Sequence, residues 1–215
     1  MNGVDLLDVF ATPIVVLGLD GVDDLNDALT ATLLQESERV VGLSRSNVGA
    51  WHSVTDLMSR PGPMFAELTE LITDAGRLGL IEMARRSGAR VWPDYRLGIQ
   101  AWAMVVNPGD YLVPHDHADA HLSGVYYVDA GDADQELHPE SGLLAFMDPR
   151  GGLATVPGME LFPSTFTVEP FTGVVVMFPS FLTHYVHPYR GTRPRVSVSF
   201  NIRAEPIPPT PLDRS

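Results

Sequence analysis

The chain contains no cysteine, which removes disulfides, thiolate metal sites and cysteine nucleophiles together and leaves imidazole and carboxylate as its strong metal ligands. Basic residues are also scarce: 14 Lys and Arg stand against 27 Asp and Glu, for a formal net charge of −13. A field of that sign repels DNA, RNA and anionic lipid unless a local basic patch intervenes. The nearest candidate, Arg85-Arg86 with Arg90, is short and reads as the solvated end of a helix. No nucleic acid is expected as a partner. No apolar run approaches the ~20 residues of a membrane helix, so no membrane partner is expected either. The opening residues Met1-Asn2-Gly3-Val4-Asp5 lack the basic start and apolar core of an export signal, and the expected address is the cytoplasm. There is no internal repeat and no low-complexity block.

What is present is a globular composition, 45% hydrophobic and 19% charged over 215 residues, enough for a single domain with a full core. The pattern predicts a short strand or two around Thr12-Pro13, between Asp8 and Leu19, and a first amphipathic helix over Val22–Val40. A polar loop follows over Ser44–Ser53, where His52 reads as an ordinary surface or capping residue. After Pro61-Gly62-Pro63 a second helix is predicted to Arg86. From Tyr95 onward short strands are divided by Asn, Asp, Gly and Pro: Leu97–Val106, Tyr111–His117, Leu122–Val128, Leu143–Met147, Thr165–Val168, Val174–Phe178, Thr183–Val186 and Arg195–Ile202. The expected architecture is mainly β with flanking helices, a double-stranded β-helix of the cupin-like jelly-roll kind. Residues 1–94 are expected to pack a strand and helices on it, 95–203 to form it, and 204–215 to be a proline-rich tail that leaves the ladder. The connections Asp129–Ser141 and Asp148–Ser164 are long enough to cover a site.

Six of the seven histidines fall between His115 and His187. In Pro114-His115-Asp116-His117 two imidazoles sit two residues apart, which on a strand sends both to one face. His184 opens another strand. Eleven positions later Arg195-Val196-Ser197 puts a cation and a hydroxyl on one face, so the pattern reads as a metal site beside an anion-binding post. Ferrous iron suits three such ligands, because an octahedral ion keeps three positions open. The plainer alternatives are structural histidines and a half-exposed strand whose polar face, Arg195, Ser197, Ser199 and Asn201, points to water. His121, His138 and His187 are weaker candidates.

These residues resemble the iron(II)- and 2-oxoglutarate-dependent oxygenases, in a bacterial and phage branch. The resemblance is carried by Trp102–Asn107, by His115-Asp116-His117 with Leu122–Val128, by Ser141-Gly142 with Asp148-Pro149-Arg150, and most specifically by Phe178–His184 followed by Arg195–Asn201. It implies iron on His115, His117 and His184, with Arg195 and Ser197 on the distal carboxylate of 2-oxoglutarate. It further implies O2-dependent decarboxylation of 2-oxoglutarate to succinate, coupled to oxidation of a C–H bond in a small molecule or peptide. A guanidinium fork pairs bidentately with a carboxylate where a lysine cannot.

Most of the wider family has an acidic residue where position 117 is histidine, although the branch resembled shares the HxH form. Three neutral imidazoles leave the ferrous charge uncompensated, so a carboxylate is expected beside them: Asp119 if the strand stays extended, with Asp116 pointing away. If the chain bends, either aspartate could replace His117 as ligand. Asn201 and Tyr127 are further candidates around the ligands. Two other readings stay open. One is a cupin-type metalloenzyme that uses no 2-oxoglutarate, for which Gly109 before HxH and Gly173 before Pro179 and His184 speak, while the usual acidic ligand is missing. The other is a non-catalytic jelly-roll binding protein. Oligomeric state is open.

Overall fold

A strand buried on both faces organises the molecule, a computed structural model that describes residues 10–89, 94–150, 157–159 and 163–207. This strand, β11 (Arg195–Pro206), runs antiparallel to β4 (Tyr95–Val106) over its whole length, from Arg195 opposite Val106 to Pro206 opposite Tyr95. On its other side lies β6 (Leu122–Asp129). Beyond β6 come β9 (Val174–Pro179) and β1 (Val15–Gly18), and beyond β4 comes β3 (Trp51–His52), giving a six-stranded sheet β1-β9-β6-β11-β4-β3. The facing sheet has five strands in the order β2-β5-β10-β7-β8: Asn47–Val48, Tyr111–His115, His184–Val186, Leu144–Met147 and Thr165–Val168. Mixed sequence neighbours in both sheets are the mark of the jelly roll.

Period-two alternation sorts β11 into two chemistries. Val196, Val198, Phe200 and Ile202 are fully buried and pack with Leu29, Leu33, Leu68 and Ile72 of two helices, α1 (Asp23–Arg39) and α2 (Pro63–Arg86). Each such side chain contributes about 1.5–3 kcal/mol by leaving water. On α2, a Cβ on Gly76 would lie 2.7 Å from Ile202 Cδ1 and one on Gly79 would lie 2.5 Å from Met177 Cε, so both glycines let the helix approach the sheet. The other face of β11, Arg195, Ser197, Ser199 and Asn201, looks into the space between the sheets. The polar face of the half-exposed strand is therefore interior.

Three expectations change. The 44–53 segment is not a plain loop, since Asn47-Val48 pairs with β5 and Trp51-His52 with β4. The ladder of β11 continues through Ala204, Glu205 and Pro206, because these lie opposite Leu97, Arg96 and Tyr95 of an equally long β4; residues 208–215 of the tail, and Val9 of the opening segment, lie outside the described residues. Finally, β5 stops at His115: the His117 N–H turns to donate to Ser180 O at 3.0 Å, and Ala120 N–H then closes on His117 O at 3.1 Å.

Candidate functional site

Side chains from both sheets enclose a cavity of about 580 Å³. Its floor is a regular array, because directly opposed residues share a face. Gln100, Asn201 and Ser123 form one row, Trp102, Ser199 and Val125 the next, and Met104, Ser197 and Tyr127 the third, with Arg195 beyond it. The roof carries the histidines.

His115 and His184 lie directly opposite each other on β5 and β10, with ring centroids 4.3 Å apart. His117 reaches the same point from the turn after β5, its ring 5.1 Å from His115 and 5.3 Å from His184. One nitrogen from each of the three lies within 4.8 Å of the other two. Local backbone fixes two of the rings. His115 Nδ1 bonds Val113 O at 2.8 Å and His184 Nδ1 bonds Leu182 O at 3.0 Å. A carbonyl can only accept, so both Nδ1 atoms carry the proton and both Nε2 atoms present lone pairs. Ser46 Oγ lies 3.2 Å from His115 Nε2.

Burial lowers all three imidazole pKa values, and repulsion from His115 adds to it at two of them: His184 is pushed down to about 3 by desolvation first and His115 second, His117 to about 4 by the same two causes, while His115 falls through desolvation. All three are neutral at pH 7, the form that binds a metal. Three convergent neutral imidazoles with open cavity before them fit a six-coordinate divalent ion of borderline softness such as Fe(II).

Arg195 closes the inner end. It is 2% exposed, its Nη1 donates to Gly142 O at 2.6 Å, and its Nε is enclosed without a partner among the described residues. The guanidinium lies 5.9 Å from the Tyr127 ring and 5.6 Å from the Tyr189 ring. Among the described residues no carboxylate lies within ion-pairing distance of it. Burial lowers its pKa, with the two tyrosines opposing, yet a guanidinium stays charged at neutral pH. Gly142, at φ 65°, is required here: a Cβ would sit 2.8 Å from Arg195 Nη1. Buried Ser197 lines the cavity beside it, as does Tyr127, whose hydroxyl pKa burial pushes up to about 12. Asn201 Oδ1 accepts from Ser123 Oγ at 2.7 Å, and that hydroxyl lies 3.0 Å from Ser180 Oγ.

The aspartates are placed differently from expectation. Asp119 lies in the turn after β5 and not on an extended strand; its side chain, 86% exposed, pairs with Arg203 at 3.0 Å, while it lines the cavity and its charge acts on the His117 ring. Asp116 is exposed at the cavity mouth. Neither joins the group of convergent ligand atoms. Asp148 and Arg150 pair with each other at 2.6 Å, outside the cavity lining, and His121, His138 and His187 do not line it either. No described residue of 129–141 or 148–164 lines the cavity.

His52 is the residue that sequence reasoning misplaced. It is 6% exposed, lines the cavity and stacks on Trp102, rings parallel within 4° at 5.4 Å. A two-residue strand has no period to read, and only the pairing of Trp51 with Val105 and His52 with Met104 turns this ring inward.

Three comparisons bear on this arrangement. Residues 100–201 match the family model described as "Putative 2OG-Fe(II) oxygenase". No curated protein matches the chain. Among solved structures, a Pseudomonas putida prolyl-4-hydroxylase is 18% identical with a TM-score of 0.56, covering 88% of this chain and 91% of that one. A Trichoplax adhaerens prolyl hydroxylase, in complex with a hypoxia inducible factor oxygen degradation domain peptide fragment, is 13% identical at a TM-score of 0.59, covering 88% and 83%. HygX from Streptomyces hygroscopicus, with nickel, 2-oxoglutarate and hygromycin B bound, is 14% identical at 0.56, covering 89% and 83%. At these identities the structures establish the shared fold.

Proposed function

We propose, on the premise that residues 100–201 are a 2OG-Fe(II) oxygenase domain, that His115, His117 and His184 hold the iron and that Arg195 with Ser197 seats the distal carboxylate of 2-oxoglutarate. Iron, 2-oxoglutarate and O2 together supply the oxidising power to hydroxylate a C–H bond while 2-oxoglutarate becomes succinate and CO2. The chain's own residues do the placing. The three neutral Nε2 or Nδ1 lone pairs fix one point of the roof, and Arg195 fixes the far end of a small dicarboxylate some rows deeper in the same cavity. The apolar side chains Val125, Leu144, Val186 and Phe178 keep that inner end dry, which strengthens the guanidinium–carboxylate pair.

The observation that carries this reading is the enclosed Arg195 without a carboxylate partner, opening onto the cavity that the three imidazoles line. A buried cation left unpaired is costly unless an anion arrives. The supporting experiment incubates the iron-loaded protein anaerobically with 2-oxoglutarate and then admits O2. The expected result is a weak visible charge-transfer band before O2 and succinate after it, both lost in Arg195→Ala. Succinate formation undiminished by that substitution refutes the assignment, and metal binding without any use of 2-oxoglutarate favours a cupin-type enzyme.

The substrate is a small molecule or a peptide that enters past Gln100, Thr55 and Arg45 at the mouth. We place the protein in the cytoplasm, whose reducing conditions suit a ferrous site; no described helix is long and apolar enough to cross a membrane.

A further inference from the structure

The three rings are not held alike. His115 and His184 each bond a backbone carbonyl through Nδ1, whereas the His117 ring makes no hydrogen bond to any described residue. It also stands beyond the end of β5, in a turn fixed only through its backbone. Besides the other two imidazoles, the ring meets Trp102, whose centroid is 5.8 Å away at a 56° tilt. Trp102 has a second aromatic contact in His52, stacked parallel at 5.4 Å. Trp102, on β4, is thus in contact with two imidazoles.

The far member of this stack is fixed from every side. His52 Nδ1 bonds Ser53 O at 2.6 Å, so its ring plane is set. His52 O accepts from Leu43 N–H at 2.8 Å, Ser53 N–H donates to Ala103 O at 3.0 Å, and Ala103 N–H donates to Ser53 Oγ at 2.9 Å. These bonds clamp β3 onto β4 at the level of Trp102. Aromatic pairs at such separations hold a relative orientation beyond simple burial.

We propose that the His52–Trp102 stack is the positioning device for His117, taking the place of the hydrogen bond that orients each of the other two imidazoles. Trp102 and His52 are positioning residues: they touch a ligand, or the neighbour of a ligand, and set the angle at which its nitrogen meets the metal. The proposal rests on the reading of the trio as a metal site, and its test separates the two. Metal-free protein is titrated with Co(II), following the visible d–d bands, for the wild type, His117→Ala, Trp102→Phe, Trp102→Leu, His52→Ala and the double variants of the last two with His117→Ala. Loss of a group that orients a metal ligand typically weakens binding about 10- to 100-fold. Trp102→Leu is expected to weaken Co(II) by about tenfold and to shift the bands, while Trp102→Phe, which keeps an aromatic face, stays within about threefold of the wild type. His52→Ala falls between them and serves alone where Trp102→Leu does not fold.

The deciding result is the cycle. In the His117→Ala background neither substitution should change Co(II) affinity further, since the ring they orient is gone. Undiminished affinity in Trp102→Leu and His52→Ala, or the same loss with and without His117, overturns the positioning role and leaves the metal site standing. A wild type whose Co(II) binding does not depend on His117 overturns both.

Discussion

The two faces of β11 differ more than any two layers of this molecule. One carries Val196, Val198, Phe200 and Ile202 under two helices, and the other carries Arg195, Ser197, Ser199 and Asn201 into the cavity. The first face is where burial free energy is gained; the second buries a cation, hydroxyls and an amide that gain little until a ligand arrives. Stability and chemistry are thus separated by one residue along a single strand. Substitutions that alternate along β11 should alternate in effect, and that is the way to break the comparison.

The largest effect belongs to Arg195. Arg195→Ala is expected to lower kcat/KM for 2-oxoglutarate by about 100-fold or more, the scale of a lost charge-assisted pair, while Tm falls little or rises, since an unpaired buried cation is removed. Arg195→Lys should rescue poorly, because an ammonium cannot reproduce the fork. Ile202→Ala, seven positions on, should do the reverse: about 2–5 kcal/mol of stability lost in denaturant unfolding, with the KM for 2-oxoglutarate unchanged in the molecules that stay folded. A variant of the apolar face that raised KM without loss of stability would erase the distinction.

Acid should separate the same two regions. In the folded metal-free protein His184 and His117 are held neutral down to about pH 3 and about pH 4, whereas in the unfolded chain histidines take up protons near pH 6.5. The unfolded state therefore binds more protons at these two groups between those limits, and their contribution to stability is constant above pH 7 and falls as pH drops below 6.5. His184→Asn should flatten that fall; Val198→Ala should shift the whole curve down without changing its slope. Equal slopes in wild type and His184→Asn would mean that the trio is not held neutral.

Much of this was legible from the chain alone, and for identifiable reasons. The two helices announced themselves through apolar spacing and the Pro61-Gly62-Pro63 break, and α2 begins and ends at the residues expected, Pro63 and Arg86. The alternation of β11 was equally plain, but period two says only that two faces differ, and cannot say that helices cover one and a second sheet the other. The route to Asp119 was not legible: it lines the cavity from a turn, because the chain does not stay extended past His115 but turns back on Ser180. His52 was hidden because its environment comes from β4, some fifty residues away in the sequence.

Smaller effects sharpen the picture. Ser197→Ala should raise the KM for 2-oxoglutarate about tenfold, the cost of one hydrogen bond to a charged group at the low end of its range, with kcat nearly kept. The smallest effect is expected at the cavity rim, at Asp119 and Arg203. This pair is solvent-exposed on both sides, so its rupture by Arg203→Gln should cost under ~1 kcal/mol of stability. Its value is diagnostic. If Asp119 served the metal, freeing it from Arg203 would tighten Co(II) binding, and Asp119→Asn would weaken it severalfold. With Asp119 pointing to water, as its 86% exposure indicates, both variants should bind Co(II) within about twofold of the wild type, since the high dielectric of solvent weakens the pull of an exposed charge. A larger change in either variant would return the aspartate to the metal and move the boundary between the chemical interior and the solvated rim.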